Sequence, residues 1–154
     1  VGEGGIRSPL IITGPGIKGE RKIEAFSYVT DIMPTILEMA NLDHPNEFNG
    51  RQVASMRGNS ITKVLSGEQE KIYSNTEIIA GEMANGKWAR LGDYKASFVP
   101  EPYGEAKWKL FNLSTDPGET TDLSTDNPEL LKKIVDGWKL YASEVGVLNN
   151  DFNF

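Results

Sequence analysis

The chain is 154 residues long, with a hydrophobic content of 38%, a charged content of 25% and a formal net charge of −6. This length and composition suit one ordinary globular domain, and the negative charge argues against binding to DNA or RNA, whose phosphates would be repelled. The absence of cysteine excludes disulfides, thiolate metal sites and a cysteine nucleophile within the chain. No apolar run reaches the ~18 residues of a membrane helix, so no membrane span is expected.

The first elements predicted along the chain are a strand and a helix. The apolar run Pro9–Thr13 is typical of a buried strand, which the glycine-rich turn after it ends. A helix is predicted from Thr30 or Asp31 to about Asn41, and Pro34 is tolerated because it falls in the first turn. Helical spacing predicts one buried stripe on this helix, made of Ile32, Ile36, Met39 and Ala40.

A polar loop leads to a second, shorter helix. This helix is predicted to begin at Ser60 and to stop at Gly67, because glycine favours the left-handed conformation that ends helices. Its inward side chains are expected to be Ile61, Val64 and Leu65.

The middle of the chain changes to strand-like patterns. Four segments rich in aromatic and β-branched residues show partial alternation, and each is bounded by Gly, Asn, Asp or Pro. They are residues 71–79, 87–91, 94–99 and 107–113. Gly92 and Asp93 form a two-residue break that predicts a tight hairpin. The pattern therefore predicts a four-stranded antiparallel meander.

The clearest prediction is a C-terminal helix. Asn127 is expected to cap it, Pro128 suits its first position, and Gly146 suits its end. The apolar stripe expected on it is Leu131, Ile134, Trp138, Tyr141 and Val145. This stripe predicts packing on one face of the meander, and residues 149–154 are expected to fray or to dock through their phenylalanines.

The sequence contains no recognisable catalytic motif. The glycines at 14, 16 and 19 match a dinucleotide fingerprint but lead into no helix, so a plain turn is favoured. His44 is the only histidine, which rules out a two-histidine metal site or a histidine relay. It is expected either to be exposed beside Pro45 or to line a pocket completed by other parts of a larger protein. We therefore predict no catalytic residue and no metal ligand in this chain.

Five segments, in order, resemble motifs of the sulfatase family. The last of them carries the Asp-Pro-Gly-Glu turn, and the first carries Glu-Gly-Gly-Ile-Arg. They are Glu3–Ile12, Val29–Leu37, residues 57–68, Arg90–Lys95 and Leu110–Glu119. Each motif is modest alone, but the order and spacing hold over nearly the whole chain. The resemblance is nearest to bacterial arylsulfatases.

The resemblance implies an α+β fold. The four-stranded antiparallel sheet packed against a C-terminal helix would be the smaller C-terminal subdomain of an alkaline-phosphatase-like α/β sulfatase. Residues 1–45 would form the edge of the large domain, residues 46–70 a connecting loop and short helix, and residues 71–154 the subdomain. The start at Val1 fits a segment of a longer protein.

The resemblance also implies the chemistry of a parent enzyme. Sulfatases hydrolyse sulfate esters with a formylglycine nucleophile and a calcium ion, and none of the residues that form those sites maps onto this chain. The segment is therefore predicted to be inactive alone, to have a missing N-terminal catalytic domain as partner, and to place His44 at most on the rim of the substrate pocket. The family implies a periplasmic or secreted location. The alternatives are a related phosphate or phosphonate ester hydrolase and a stand-alone, non-catalytic binding module.

Overall fold

A computed structural model describes residues 1–17 and 19–148 of the chain. These residues form two compact units. The sheet unit contains residues 1–9 and the described residues from 75 onward, and the helix-loop unit contains residues 10–74. The domain boundaries predicted at residues 45 and 70 refer to a parent enzyme and stay a prediction. The predicted tail, residues 149–154, lies outside the described residues.

Short helices and short strands form the first half of the chain, and four longer strands and a long final helix follow them. In chain order the elements are α1 (Glu3–Ile6), a 3-10 helix (Val29–Asp31), α2 (Ile32–Met39), β1 (Glu47–Phe48), β2 (Arg51–Gln52), α3 (Thr62–Ser66), β3 (Ile78–Met83), β4 (Gly86–Leu91), β5 (Tyr94–Phe98), β6 (Trp108–Asn112) and α4 (Pro128–Val145). No helix among the described residues is both long enough and apolar enough to cross a bilayer.

The sheet unit contains the predicted meander. Strands β3, β4, β5 and β6 pair in that order, each antiparallel to the next. The tight hairpin at Gly92 and Asp93 is confirmed, with Gly92 at a φ of 57°. The first strand was predicted wrongly, because it begins at Ile78 and runs through Gly81. Gly81 does not break the strand because Trp88, opposite it in register, covers it with its indole ring.

Helix α4 packs on one face of this sheet, as predicted. Ile134 and Trp138 are buried against small and apolar residues of all four strands, namely Ala80, Ala89, Leu91, Ala96 and Leu110. The alanines leave room for the helix to approach closely, and the Trp138 indole N–H donates to the Gly81 carbonyl at 3.1 Å. The stripe is not buried throughout, since Val145 is 42% exposed. The predicted ends are confirmed, although the Asn127 side chain makes no capping hydrogen bond.

Both helices predicted for the helix-loop unit are present. The short helix α3 ends at Gly67 in the left-handed conformation, and Ile61, Val64 and Leu65 are buried. The buried stripe of α2 was predicted wrongly, because Ile32, Ile36, Met39 and Ala40 are all exposed. The side chains that α2 and the turn before it do bury are polar, Asp31 and Thr35. Periodicity identifies an amphipathic helix but not which of its faces the fold covers.

The strand predicted at Pro9–Thr13 is also absent. The segment has no regular structure, and Leu10 and Ile11 are 52% and 86% exposed. A strand needs a hydrogen-bonding neighbour, and neither sheet of the described chain pairs with this segment. A hairpin that was not predicted joins β1 to β2 through Asn49 and Gly50, which both adopt positive φ. Asn-Gly is a strong signal for such a turn.

Candidate functional site

The most deeply buried charged group of the sheet unit is the Lys95 side chain, with 1% of its surface exposed. It lies on the sheet face opposite α4, because it alternates with Ala96, whose side chain enters the α4 core. Its partners are Glu3 and Glu119, from the two ends of the region that the sequence motifs span. Three of the five motifs therefore supply one charged residue each to a single buried group. We call Glu3, Lys95 and Glu119 the Lys95 cluster.

The ammonium of Lys95 is close to three acceptors. Nζ donates to the Val1 carbonyl at 2.9 Å and to Glu3 Oε1 at 2.8 Å. Glu119 Oε1 lies 3.0 Å from Nζ as an ion-pair partner, and no hydrogen bond of suitable geometry reaches it among the described residues. The other Glu119 oxygen, Oε2, accepts the backbone N–H of Glu3 at 2.6 Å. The carboxylate of Glu119 thus contacts both the lysine and the N-terminal backbone.

A tight turn after β6 presents Glu119. The Asp116 carboxylate accepts the backbone N–H groups of Thr121 and Thr120, and these hydrogen bonds hold the pKa of Asp116 below its usual value. Glu119 itself has a φ of 55°, the left-handed conformation that costs a non-glycine residue roughly 1–2 kcal/mol. Such strain persists where the surrounding contacts hold it, and here the contacts are those of the Lys95 cluster.

The N-terminal segment also packs against the sheet through an apolar contact. The side chain of Val1 lies over Gly86 at the start of β4, where an added Cβ would come within 2.9 Å of Val1 Cγ1. The Arg90 guanidinium also contributes to the electrostatics of the site, because the carboxylates of Glu3 and Asp93 attract it. Burial lowers the pKa of Arg90, and the two carboxylates partly oppose this effect. The segment is thus bound by packing, hydrogen bonds and charge.

A buried carboxylate, Asp31, organises the helix-loop unit. Asp31 is 1% exposed, and its Oδ2 accepts the Tyr28 backbone N–H at 2.7 Å while its Oδ1 accepts the Asn59 backbone N–H at 2.9 Å. The Tyr73 hydroxyl also donates to Oδ1. Burial, together with this carboxylate, raises the pKa of Tyr73 above its ordinary value. We call Asp31, Thr35 and Tyr73 the Asp31 hub.

The Asp31 hub joins two further sequence motifs. The Thr35 hydroxyl accepts the Ile61 N–H at 3.0 Å, which connects α2 to the start of α3. Gly58 approaches the turn before α2 so closely that an added Cβ would lie 2.1 Å from the Thr30 carbonyl oxygen. Only glycine fits there. These contacts order the backbone of the helix-loop unit, because both oxygens of the Asp31 carboxylate accept hydrogen bonds.

His44 lies where a loop follows α2. It is partly buried and lines an open cleft of about 270 Å³. The lining also includes Pro34, Leu37, Glu38, Asn41, Leu42, Asp43 and Met56. Hydrogen bonds from Ser60 and Thr62 lower the pKa of Glu38, so this wall of the cleft is anionic at neutral pH. The role of His44 as a rim residue stays a prediction.

The described residues offer no fit for the implied calcium ion. Among residues 1–17 and 19–148, no three His, Cys, Asp or Glu side chains converge as metal ligands. Glu3 and Glu119 both contact the Lys95 ammonium, which neutralises charge that a metal ion would otherwise need.

Sequence reasoning from the residues missed both buried groups. It treated the acidic residues one by one and found no assembly, because Glu3, Lys95 and Glu119 are separated by 92 and 24 positions. A signal was nevertheless present, since four of the five segments that resemble the family begin or end on a charged residue, the exception being Val29–Leu37. Charged residues are almost never fully buried unless they are paired, so a charged residue that the fold buries needs an opposite charge nearby.

Comparison with known proteins gives a consistent result. Residues 1–139 match the family model described as N-sulphoglucosamine sulphohydrolase, C-terminal. An uncharacterized sulfatase of Schizosaccharomyces pombe is 36% identical over 99% of this chain, and arylsulfatase K of Mus musculus is 28% identical over 92% of it. The chain spans only 28% and 27% of the lengths of these two relatives.

Solved structures agree on the fold. A 2-O GAG sulfatase aligns with 87% of this chain at a TM-score of 0.59 and 21% identity, and the alignment covers 29% of that protein. A putative sulfatase from Bacteroides thetaiotaomicron aligns with 74% of this chain at a TM-score of 0.53. The sheet with its C-terminal helix is therefore the small-subdomain fold of these larger proteins.

Proposed function

This chain belongs to the sulfatase family and corresponds to the C-terminal region of its members. From that premise we propose that it is part of an arylsulfatase that hydrolyses sulfate esters. The observation that carries the proposal is the family match over residues 1–139, in relatives where this region is little more than a quarter of the length. In the proposed parent, a formylglycine would supply the nucleophile for sulfur and a calcium ion would supply positive charge to the sulfate. Both groups would be held by residues outside this chain.

The proposed role of this region is structural, and its partner is the catalytic domain that the relatives carry. Helix α2 and the turn before it present an apolar face to solvent, made of Val29, Ile32, Met33, Ile36 and Met39, all at least 42% exposed. Contiguous apolar surface of this kind marks an interaction site. The catalytic domain is the occupant we propose, because the relatives contain a much longer polypeptide for it to belong to.

His44 is proposed to line the substrate pocket that this assembly completes. Its cleft opens beside the C-terminal end of α2, the helix that carries the apolar face. An imidazole at the rim would contact a part of the substrate distant from sulfur. His44→Gln should therefore raise KM and leave kcat within about twofold, since a contact made equally in ground and transition states changes binding alone. Glu47→Gln, at an exposed position of β1 outside the cleft lining, is the control, and an equal effect of both changes would refute a specific role for His44.

The first experiment is to read the gene upstream of the Val1 codon. An open frame with a Cys/Ser-x-Pro/Ala-x-Arg motif is the expected result, because formylglycine is made from the first residue of that motif. A stop codon or a native start beside Val1 would refute the proposal and favour the stand-alone binding module.

The second experiment measures turnover of a chromogenic aryl sulfate with calcium. The chain alone should be inactive, and the chain joined to its upstream part should be active. Ile36→Glu should weaken that assembly, whereas Leu140→Glu, on an exposed position of α4, should not. Turnover by the purified chain alone would contradict its proposed inactivity, and faster turnover of an aryl phosphate would favour the phosphate ester hydrolase. The predicted bacterial source and periplasmic or secreted location stay proposals.

A further inference from the structure

We propose that Lys95 is a positioning residue, which fixes the backbone of the N-terminal segment, Val1–Ile6, in one register on the sheet. The proposal rests on the proposed function in one respect, that a catalytic domain precedes this segment. Lys95 would then determine where the polypeptide leaves that domain and joins the sheet unit. It touches no substrate in this chain and acts only through the segment that it holds.

The first argument is the choice of acceptors for the hydrogen bonds that Lys95 Nζ donates. Nζ donates to one backbone carbonyl, that of Val1, and to one side chain, that of Glu3, in the same short segment. Glu119 then binds the Glu3 backbone N–H from the other side. Two of these three contacts reach main-chain atoms, so they specify the path of the backbone and not only the presence of a charge.

The second argument is energetic. A buried ion pair stabilises a fold little more than apolar side chains of the same shape would, because desolvation offsets the Coulomb attraction. Although the Arg90 guanidinium also acts on Glu3, the cluster places two carboxylates against one buried ammonium, which is a poor arrangement for stability alone. Its other attested use is to select one register among several, since a shifted segment leaves a buried charge without its partner.

The third argument is that Lys95 and Glu119 are held firmly by the sheet unit, whereas the N-terminal segment is not. Lys95 lies on β5, a central strand hydrogen-bonded to β4 and β6. Glu119 is fixed by the Asp116 turn and adopts a left-handed backbone that its contacts maintain. By contrast, α1 is a four-residue helix without a side-chain cap. A rigid pair therefore orders a segment that has little structure of its own.

The test separates positioning from stability with two variants. Lys95→Met removes the ammonium and leaves Glu119 without its cation and Glu3 with only the electrostatic effect of Arg90, so it should lower stability and release the segment. The neutral triple variant, Lys95→Met with Glu3→Gln and Glu119→Gln, removes the uncompensated charges and should recover most of the stability. Lys109→Met is the matched control, because Lys109 lies on the same sheet face and makes an ion pair with Glu105 near the surface.

The first readout is amide hydrogen exchange. The N–H groups of Gly5 and Arg7, which donate to Gly2 and Glu3 carbonyls, report on the segment, and those of α4 report on the whole unit. In the triple variant, segment exchange should be at least tenfold faster than in wild type while α4 exchange stays within twofold. Recovery of segment protection along with stability would overturn the proposal, as would a wild-type segment that exchanges like a free peptide. If Lys95→Met fails to fold, the triple variant and Glu119→Gln decide the matter.

The second readout is turnover by the chain joined to its upstream part. The triple variant should lose at least tenfold in kcat with KM within about twofold, because a shifted segment would displace the catalytic domain proposed to precede it, and a small misplacement of reacting groups costs rate more than binding. Lys109→Met should change neither constant. An unchanged kcat in the triple variant would overturn the role of Lys95 in the reaction. If wild type shows no turnover at all, the proposed function fails, and the exchange result still decides whether Lys95 positions the segment.

Discussion

The two units of this chain bury their apolar and charged groups in opposite ways. The sheet unit closes an apolar core between α4 and the sheet and places its buried charge, Lys95, on the other sheet face. The helix-loop unit has a buried carboxylate at its centre, Asp31, while α2 leaves its apolar side exposed. The first arrangement is that of a self-sufficient subdomain. The second leaves an apolar surface free for the partner proposed above, and the relatives contain a much longer chain.

The largest expected effect is a loss of stability confined to the helix-loop unit. Asp31→Ala should lower its stability by about 3 kcal/mol or more, because three donors each lose about 1–3 kcal/mol of hydrogen bonding. All three tryptophans, Trp88, Trp108 and Trp138, belong to the sheet unit, so fluorescence should be unchanged while exchange of α3 amides accelerates. Asp43→Ala, at an exposed position, is the control. Unaltered protection of α3 would contradict the Asp31 hub.

The converse change should affect only the sheet unit. Ile134→Ala removes a fully buried side chain from the α4 interface and should cost about 2–5 kcal/mol. Leu140→Ala on the same helix, 63% exposed, should stay within about 0.5 kcal/mol of wild type. Urea unfolding followed by tryptophan fluorescence gives both values. Similar losses for the two variants would mean that α4 does not pack as described.

A smaller effect tests how closely α4 approaches β3. Alanine stabilises an exposed helix by about 1 kcal/mol over glycine, yet Gly137→Ala should cost about 1–3 kcal/mol. The reason is that its Cβ would lie 2.4 Å from Ile78 Cδ1. Ile78→Val removes that methyl group, so the double variant should lose less stability than the sum of the two single changes. Stabilisation by Gly137→Ala would show that the helix lies farther out.

The smallest effect concerns the solvated side of α4. Hydrogen bonds from Lys132 and Lys139 lower the pKa of Asp136 from 3.8 to about 2. A lowered carboxyl pKa contributes stability that is present above pH 3.8 and is lost as the pH falls toward 2. Asp136→Asn should therefore lower the melting temperature slightly at pH 7 and leave it unchanged at pH 2, in contrast to the core variants. A larger loss at pH 2 than at pH 7 would contradict this direction.

Much of the sheet unit could be predicted because its signals are local. Pro128 and Gly146 mark the ends of α4, Gly92 and Asp93 mark a hairpin, and alternation marks most of the strands. The error at β3 arose because a glycine usually interrupts a strand. Gly81 is accommodated within β3 because the side chain of Trp88 lies over it from the neighbouring strand. The exposed side of α2 could not be predicted, because amphipathic spacing is the same whether a helix faces its own core or a partner.

The sequence by itself determined the family, the antiparallel meander and the final helix, because motif order, turn residues and periodicity are properties of neighbouring residues. Only the tertiary structure decided that Glu3, Lys95 and Glu119 form one buried cluster, and that Asp31 binds Tyr73 and the Asn59 backbone. Those contacts join residues 24 to 92 positions apart. Their existence depends on the strand register and on the path of the loops, which bring such residues within hydrogen-bonding distance after the core has formed.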